Sequence, residues 1–542
     1  MIPFILGSIS AVSVMISAVR WLRVAQREHY EPGRVSAIAA IWWRNAPHAI
    51  PHAAVVVVAA TLALVLAIAD QRTGATTLLA ISGTASAVWP LGLRWRGKER
   101  PLAFTARLRR LAAAVAAIAA TSAVIVALLA NNALWAGVFL AGTIIVAVPT
   151  VVDLAAAVMR PVESALARTF VLAARQKLAR VQPCIVAITG SFGKTSTKFY
   201  VEHIVGAART TLASPASFNN LLGLSKAVND RLTPDIEVFI AEMGTYGLGE
   251  ITELCEQFPP TIAAITAIGD VHLERMGSRE NIAAAKAEIL SPASTVVVNA
   301  DARELVRHID AARAEGKRII EFSSDPERTT EVPIVVWSHA GQLRVVVDEA
   351  LVATTPALAH AHPSNVACAV AIAISLDIPI SVITRQLSSL PTVPHRANST
   401  TAPAGYTVID DTYNSNPQGA EAALNIAKKH ARDRGGRVWV VTPGMIELGR
   451  QQSESNAVLA ADVVAAGFLV IVGYVNRRAL MSGATGGNRP RTSGRGSEPG
   501  HASAPERIYL TARRDSAVAL VSSLAQPGDA VLYENDLPDH YP

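Results

Sequence analysis

Apolar residues are concentrated in five segments near the start of the chain. The segments cover about residues 2–19, 53–69, 75–93, 111–130 and 133–152. Each is close to the roughly 20 residues that a helix needs to cross a bilayer. The first segment has neither a basic start nor a small-residue cleavage site, which favours a retained helix over a signal peptide. The pattern predicts a multi-pass α-helical membrane region of about five transmembrane helices over residues 1–152.

Basic residues are concentrated after the first and the third apolar segments, whereas only Asp70-Gln71-Arg72 separate the second from the third and only Asn131-Asn132 separate the fourth from the fifth. The first basic loop contains Arg20, Arg23, Arg27, Arg34 and Arg44, and the second contains Arg94, Arg96, Lys98, Arg100, Arg107, Arg109 and Arg110. Basic loops tend to stay in the cytoplasm, so the N-terminus is expected outside and the chain after residue 152 inside, at the cytoplasmic (inner) membrane. The net charge of +6 is therefore better explained by a lipid bilayer as partner than by nucleic acid.

The pattern after residue 152 is typical of an α/β protein. Residues 153–180 are predicted to form a connector helix. Strand-like runs such as residues 295–299 then alternate with Ala-rich helical stretches over 181–390 and again over 391–542, which predicts two domains with parallel sheets. Residues 483–506 are rich in Gly, Pro and Ser and predict a disordered loop in the second domain. The three cysteines are widely spaced and indicate neither a disulfide framework nor a zinc site.

A short glycine turn carries the strongest chemical signal. An apolar strand ends at Thr189 and runs into Gly190-Ser191-Phe192-Gly193-Lys194-Thr195, which precedes a helix-like segment. Glycines in such a turn let backbone N–H groups approach phosphate oxygens, the lysine adds a positive charge, and the threonine hydroxyl reaches Mg²⁺. The turn therefore predicts ATP binding. Its glycines are closer than in the G-x-x-x-x-G-K-[ST] consensus, so an ordinary glycine turn before a helix is the alternative interpretation.

Three ionisable residues follow the turn on later elements. Glu242 ends an apolar strand, at the edge where α/β sheets bind their ligands. His272 lies in a polar stretch and Lys286 in an Ala-rich helix. Taken alone, Lys286 would be a solvated surface lysine and His272 a partly buried histidine. Their succession after a phosphate-binding turn indicates chemistry beyond nucleotide hydrolysis.

Ten short strings in this chain occur in the same order in a known family. They are TGSFGKTS at 189–196, SFNNLLGL at 217–224, IAEMG at 240–244, GEI at 249–251, HLERMGS at 272–278, AKAEI at 285–289, VNAD at 298–301, PHR at 394–396, IDDTYNSNP at 409–417 and MIELG at 445–449. Over roughly residues 181–535 the chain resembles the Mur ligase family, most of all its MurF type. The resemblance implies a P-loop central ATP-binding domain at 181–390, a Rossmann-like C-terminal domain at 391–542, and ATP between them.

The resemblance also implies a role for each matching residue. The nucleotide would be held by Gly190, Ser191, Gly193, Lys194, Thr195, Ser196, Asn365, Arg396, Asp411 and Tyr413. A first Mg²⁺ would be bound by Thr195 and Glu242 and a second Mg²⁺ by His272 and Lys286, and the catalytic set would be Lys194, Glu242, His272 and Lys286. Within these sets, Lys286 would be carbamylated by CO₂, Arg396 would reach the phosphates, Asp411 the ribose and Tyr413 the adenine. Mg²⁺ prefers hard oxygen ligands, which this set supplies.

The implied reaction is ATP-dependent amide-bond formation on a cell-envelope, peptidoglycan-type precursor. A substrate carboxylate attacks the γ-phosphate of ATP to give an acyl phosphate, and an amine, amino acid or dipeptide then captures it. Three departures bear on the substrates. Membrane helices replace the family's UDP-binding N-terminal domain, an aspartate is lost in Pro443–Gly449, and the string at 528–539 is acidic where the MurF type has Lys-Gly-Ser-Arg. An acidic lining suits a cationic acceptor.

Three hypotheses follow from this combination. The first is a membrane-anchored, MurF-like amide ligase acting on a UDP-linked or lipid-linked precursor. The second is a true UDP-N-acetylmuramoyl-tripeptide D-alanyl-D-alanine ligase. The third is an ATP-binding membrane regulator or scaffold that has lost ligase activity. The presence of Glu242, His272 and Lys286 favours a ligase over a scaffold, since a scaffold does not need the second-metal lysine.

Overall fold

The computed structural model divides the chain into two compact units. It describes residues 1–47, 49–90, 93, 102–215, 218–271, 273–358, 361–393, 398–412, 416–486, 507–537 and 541. One unit comprises Met1–Leu166, Gly473–Arg478 and Leu537–Pro542, and the other comprises Ala167–Val472 and Ala479–Asp536. Each unit has hydrophobic cores of its own.

The first unit is helical. Its helices are α1 (Ile2–Arg27), α2 (Arg34–Asn45), α3 (Ala49–Ile68), α4 (Arg72–Val88), α5 (Ala106–Asn132) and α6 (Leu134–Val146), followed by α7 (Val148–Val181), which continues into the second unit. Small residues allow these helices to approach closely. Gly7 of α1 lies against the backbone of Ala123 in α5, and Gly83 of α4 lies against Ser13 of α1, so a side chain at either glycine would overlap its neighbour.

Within the described residues, three helices are long and apolar enough to cross a membrane. They are Ile2–Arg27, Ile50–Ile68 and Ala106–Asn132, with 26, 19 and 27 residues. α6 and α7 pass the same test only as a pair, and the pair is bent by 79°. α4 has 17 residues and falls short of the length. The five predicted segments therefore overlap helices, while length and apolarity support three spans, or four if the bent pair counts as one.

The predicted connector helix coincides with α7 but does not begin at its predicted boundary. α7 starts at Val148, inside the segment predicted as the fifth span, and it contains Pro161. The break between α6 and α7 falls at Ala147. The chain thus turns within the apolar segment 133–152 instead of crossing it as one straight helix.

The second unit begins with a nine-stranded sheet. Its strands are β1 (Cys184–Thr189), β2 (Thr211–Ala213), β3 (Val238–Glu242), β4 (Ile262–Ile265), β5 (Thr295–Asn299), β6 (Arg318–Ser323), β7 (Ile334–His339), β8 (Gln342–Val347) and β9 (Ala350–Pro356). They lie in the order β2-β3-β1-β4-β5-β6-β7-β8-β9, and only the pairs that involve β8 are antiparallel. The helices are α8 (Lys194–Gly206), α9 (Leu221–Arg231), α10 (Glu250–Gln257), α11 (Leu273–Met276), α12 (Arg279–Ala287), α13 (Val306–Ala314), α14 (Pro363–Ser375) and α15 (Ile380–Leu387).

A six-stranded sheet follows in the same unit. Its strands are β10 (Asn398–Thr401), β11 (Thr407–Asp411), β12 (Val438–Thr442), β13 (Gly467–Val472), β14 (Ile508–Thr511) and β15 (Ala530–Glu534). The order is β10-β11-β15-β12-β13-β14, and only β10 is antiparallel to its neighbour. The helices are α16 (Pro417–Arg434), α17 (Gln452–Ala466), α18 (Arg477–Ala484) and α19 (Arg514–Leu524). α18 covers the first two residues of the predicted loop at 483–506, and residues 487–506 lie outside the described residues.

Both sheets are parallel where the candidate chemistry lies. The central strands β1, β3 and β4 are almost entirely buried, and separate apolar cores cover the two faces of the first sheet. Strands buried on both faces read as continuous apolar runs, which is the pattern that the sequence shows here. Because parallel strands all end at one edge, the residues that follow β1 and β3 meet at the carboxyl edge of the first sheet.

Candidate active site

The glycine turn after β1 forms the centre of the site. Gly193 has φ +84° and Gly190 has φ +151°, conformations that residues with a side chain rarely adopt. Lys194 begins α8, and its Nζ donates to the carbonyl oxygen of Gly190 at 2.7 Å, so the ammonium lies back over the turn. Ser191 ties the turn to the segment after β4, since its Oγ donates to the oxygen of Gly269 and accepts from the nitrogen of Gly269. Backbone N–H groups and one positive charge therefore converge at the start of α8.

Glu242 lies beside this turn at the end of β3. Glu242 pairs with Ile188 of β1 in the sheet, and the side chain of Glu242 is 2% exposed. The carboxylate oxygen Oε2 accepts from Thr195 Oγ1 at 2.9 Å and from Lys198 Nζ at 3.1 Å. Among the described residues, the other oxygen, Oε1, has a single long contact of 3.4 Å, with Asn219 Nδ2. A buried carboxylate is thus fixed through one oxygen, with the second oxygen weakly held.

Lys198 is a residue that the sequence analysis missed. Its side chain is fully buried and forms the ion pair with Glu242. A signal for it existed, because Lys198 lies one helical turn after Lys194 and therefore on the same face of α8. Its partner, however, comes from a strand more than forty residues later, and one sequence does not reveal that pairing.

Lys286 is buried at the end of α12, with 2% of its surface exposed. Burial lowers the pKa of its ammonium well below the usual value, and the positive charge of Lys194 lowers it further. Among the residues that the structure describes, Lys286 Nζ has no hydrogen bond or ion pair. The alternative of a solvated surface lysine is therefore wrong, and Lys286 and Lys194 act on each other within one site.

The segment after Lys286 is fixed by a helix cap. Glu288 accepts from the backbone nitrogens of Gly249 at 2.7 Å and Thr252 at 3.0 Å, which are the first N–H groups of α10. An acidic side chain at a helix N-terminus satisfies N–H groups that have no partner within the helix. The strings GEI and AKAEI are thereby joined in space, which holds the end of α12 in place.

Asn365 lies directly against the glycine turn. It belongs to the first turn of α14, and its Oδ1 occupies the space that a Cβ on Gly193 would take. Ser196 is buried in the first turn of α8, where the resemblance placed it. These two residues therefore lie at the turn, and their role in nucleotide binding stays a prediction.

The second sheet approaches the same turn through α16. A Cβ on Gly269 would lie 3.2 Å from Oε1 of Gln418 and would overlap the Phe192 ring of the turn. α16 follows β11, whose last residue is Asp411. Asp411 is partly buried at the carboxyl edge of the second sheet. The predicted residues His272, Arg396 and Tyr413 lie outside the described residues.

The described residues fit a magnesium ion bound mainly through substrate phosphates. Among them there is no group of three or more His, Cys, Asp or Glu side chains that would enclose a metal. Mg²⁺ is commonly held by one or two carboxylates together with phosphates and water. The Thr195 hydroxyl and the weakly held Oε1 of Glu242 offer such a partial set.

Comparison with known families agrees with this arrangement. Residues 188–373 match the model of the Mur ligase middle domain, and residues 395–533 match the model described as Mur ligase, glutamate ligase domain. The first match contains the glycine turn, Glu242 and Lys286, and the second contains Asp411. Residues 1–166, most of the helical unit, lie outside both matches.

Individual relatives extend this similarity. The chain is 31% identical over 371 residues to the UDP-N-acetylmuramoyl-tripeptide--D-alanyl-D-alanine ligase of Mycobacterium tuberculosis (strain CDC 1551 / Oshkosh), covering 64% of this chain and 69% of the relative. Its structure resembles that of MurF from Acinetobacter baumannii, with a TM-score of 0.55 and 21% identity over 69% of this chain and 78% of that chain. MurF from Thermotoga maritima in complex with ADP gives a TM-score of 0.53 and 22% identity over 68% and 80%. At 21% and 22% sequence identity, these two similarities establish that the chain shares the fold of the two MurF structures.

Proposed function

We propose that this chain, which belongs to the Mur ligase family of ATP-dependent amide-forming ligases, joins a carboxyl group of a peptidoglycan-type precursor to an amine at the cytoplasmic face of a membrane. The observation that carries the proposal is the assembly of one site at the edge of the first sheet. Lys194 and Thr195 of α8, Glu242 of β3 and Lys286 of α12 come from three elements and converge around the glycine turn. A nucleotide-gated scaffold would not need that set.

The residues of the turn would act on the phosphates of ATP. The backbone N–H groups from Gly190 to Thr195 and the Nζ of Lys194 supply positive potential where charge builds up on the transferring phosphoryl group. To bind a phosphate, Lys194 Nζ must give up its hydrogen bond to the Gly190 carbonyl oxygen. The exchange is favourable because a charged phosphate oxygen is a stronger acceptor than a carbonyl oxygen. Mg²⁺ held by Thr195 and Glu242 would neutralise part of the negative charge on the phosphates. No side chain has to become a covalent nucleophile.

Lys286 has the properties of a lysine that reacts with CO₂. Reaction requires the neutral amine, which burial and the neighbouring Lys194 favour. The amine nitrogen bonds to the CO₂ carbon, one proton leaves, and a carbamate anion results. The new anion would face the cation of Lys194, whereas the unmodified ammonium is repelled by it. We therefore include carbamylated Lys286 in the proposed active enzyme, where it would be a ligand for the second Mg²⁺.

The helical unit would anchor the enzyme in the cytoplasmic membrane. Its support is the set of three apolar helices, the bent pair α6 and α7, and the two basic loops beside them. The proposal keeps five crossings, with α4 as a short third span and the bent pair as the fifth. An odd number of crossings from an external N-terminus leaves the catalytic unit on the side where ATP is available.

Two substrate sets are compatible with this site. The curated relative supports UDP-N-acetylmuramoyl-tripeptide with D-alanyl-D-alanine, because that is the reaction in its name. The membrane helices support a lipid-linked precursor, and the absence of the Lys-Gly-Ser-Arg string of the MurF type supports a different amine. We favour the second set, since most of the helical unit lies outside the residues that match the family.

Phosphate release from ATP distinguishes these sets. The full chain, purified in detergent with Mg²⁺ and bicarbonate, is assayed with UDP-linked and lipid-linked muropeptides, each with D-alanyl-D-alanine or other amines. Stimulation by lipid-linked precursors supports the proposal, and stimulation only by the UDP-linked tripeptide with D-alanyl-D-alanine identifies the alternative. Lys194→Ala is the matched inactive control. No stimulation by any pair would contradict both.

A further inference from the structure

A buried threonine hydroxyl at the carboxyl end of β1 makes no hydrogen bond. Thr189 is the last residue of β1 and has no exposed surface. Among the described residues, its Oγ1 has neither a donor nor an acceptor within reach. A buried hydroxyl without a partner costs free energy, and most buried polar side chains in folded proteins are paired. The hydroxyl of Thr189 therefore needs an explanation other than the stability of the fold.

The side chain of Thr189 faces the layer that carries Lys286. Side chains alternate between the two faces along a strand, so Thr189 shares a face of the sheet with Ala187. Ala187 belongs to the apolar core that also contains Ala285 of α12. α12 thus packs on that face, and Lys286 is buried near its end. Thr189 and Lys286 therefore lie on the same side of the first sheet.

The two residues also lie at the same end of that side. The segment directly after α12 packs against β4, and Ile265 at the end of β4 is in register with Thr189. The positive charge of Lys194 acts on Lys286. Lys194 Nζ lies 2.7 Å from the oxygen of Gly190, which directly follows Thr189. The buried amine and the buried hydroxyl are therefore both next to the start of the glycine turn.

We propose that Thr189 is a positioning residue whose hydroxyl donates a hydrogen bond to the carbamate formed on Lys286. The inference rests on the proposed function, in which Lys286 is carbamylated. In that step the neutral amine nitrogen bonds to the carbon of CO₂ and releases one proton to solvent, which leaves one negative charge shared by two oxygens. Carboxylate-like oxygens accept strongly, and a threonine hydroxyl supplies the matching donor.

The surroundings of Lys286 make such a donor necessary. The side chains of the core around α12 are apolar, so an anion formed there loses much of its hydration. Lys194 supplies an opposite charge, which attracts the carbamate without fixing its orientation. A hydrogen bond from Thr189 is directional and would hold one carbamate oxygen while the other stays available to a metal ion.

Thr197 offers a comparison within the same molecule. It is also fully buried, and its Oγ1 likewise has no hydrogen bond among the described residues. Thr197 lies one helical turn before Val201 of α8, and Val201 belongs to the core on the opposite face of the sheet. It therefore has the same chemistry and burial as Thr189 but does not face Lys286.

Carbon-13 NMR with labelled bicarbonate tests the inference on the full chain in detergent with Mg²⁺. The carbamate signal is followed as bicarbonate is added, and its loss in Lys286→Ala identifies it. Thr189→Val keeps the shape of the side chain without the donor, so the bicarbonate concentration that gives half of the signal is expected to rise about tenfold or more. Thr189→Ser keeps the hydroxyl and is expected to stay within about threefold of the wild type.

Thr197→Val is the matched control and is expected to keep the wild-type dependence on bicarbonate. Calorimetry of ADP binding without bicarbonate is expected to give the wild-type dissociation constant for Thr189→Val, because the hydroxyl is assigned to the carbamate and not to the nucleotide. Such a result, together with the weaker carbamate in Thr189→Val, supports the inference.

Three results would overturn it. A wild-type bicarbonate dependence in Thr189→Val, or an equal loss in Thr189→Val and Thr197→Val, would remove the assigned role and leave the proposed ligase intact. Weaker ADP binding by Thr189→Val would assign the hydroxyl to the nucleotide instead. No carbamate signal in the wild type would count against carbamylated Lys286 in the proposed function, and the inference would fall with it.

Discussion

Lys194 and Lys286 bring two positive side chains to one site, although like charges disfavour each other. A buried lysine without a hydrogen bond or ion pair among the described residues is poorly suited to a structural role. Sequence motifs identified both lysines. Lys198 escaped notice because its partner comes from a distant strand, and one sequence contains no record of that contact.

Replacement of Lys286 tests its role most simply. Lys286→Ala removes the side chain that would carry the carbamate, so amide formation is expected to fall by roughly 100-fold or more. A short carboxylic acid fits the vacated space and is expected to restore part of the rate. Lys226→Ala, at an exposed lysine paired with Asp230, leaves the rate unchanged. Full activity of Lys286→Ala would remove this lysine from the mechanism.

The buried pair of Lys198 and Glu242 makes a prediction about stability. Lys198→Met leaves a buried carboxylate without its counter-charge, which typically costs about 3–5 kcal/mol and lowers the melting temperature. ADP with Mg²⁺ is expected to recover part of that loss, because the cation supplies positive charge at the carboxylate.

The exposed pair of Lys429 and Asp433 is the matched control for that variant. Lys429→Met breaks a pair of side chains that are 74% and 56% exposed, and it should change stability by less than about 0.5 kcal/mol. Equal melting temperatures for the two variants would show that Lys198 does not stabilise Glu242.

At the scale of elements, the turn from β1 to α8 was the most predictable part of the molecule. The glycine spacing indicated its conformation, and positive φ values are found at both glycines. The strand at 295–299 was likewise evident from its apolar residues and is β5. The bend between α6 and α7 was missed because hydropathy is high on both sides of Ala147. Pro149, the second residue of α7, was the available signal, since proline has no N–H to continue the preceding helix.

Substitution of Gly193 separates backbone strain from loss of the site. Gly193→Ala adds a Cβ at φ +84° that would overlap the side chain of Asn365, so the dissociation constant for ATP is expected to rise more than about tenfold. Gly316→Ala is the control, since Gly316 has φ +76° and open space around it. Both variants carry a backbone cost of about 1–2 kcal/mol. Equal ATP binding by the two would contradict the assigned role of the turn.

At the scale of the whole molecule, a helical unit and a ligase unit share one chain. The sequence was sufficient to predict both units, because apolar segments and ordered motifs extend over many residues and can be recognised without knowing tertiary contacts. It was insufficient for the number of crossings, which depends on how short or bent helices meet the bilayer.

Topology reporters fused at successive positions test the predicted orientation. Fusions after residue 71 and after residue 132 are expected to report outside, and fusions after residue 102 and after residue 181 to report inside. The physical reason is that basic residues tend to stay in the cytoplasm and are concentrated after the first and the third apolar segments. A fusion after residue 181 that reports outside would separate the catalytic unit from ATP and contradict the account.

Transfer of oxygen from substrate to phosphate tests the central claim most directly. The carboxyl group of the substrate that best stimulates ATP turnover is labelled with ¹⁸O. The labelled substrate is incubated with the enzyme, ATP, Mg²⁺ and the amine, and the ¹⁸O content of the released phosphate is measured by mass spectrometry. An acyl-phosphate route predicts one ¹⁸O in each phosphate, in step with amide formation. Amide formation with unlabelled phosphate, or labelled phosphate without an amide product, would contradict the proposed reaction.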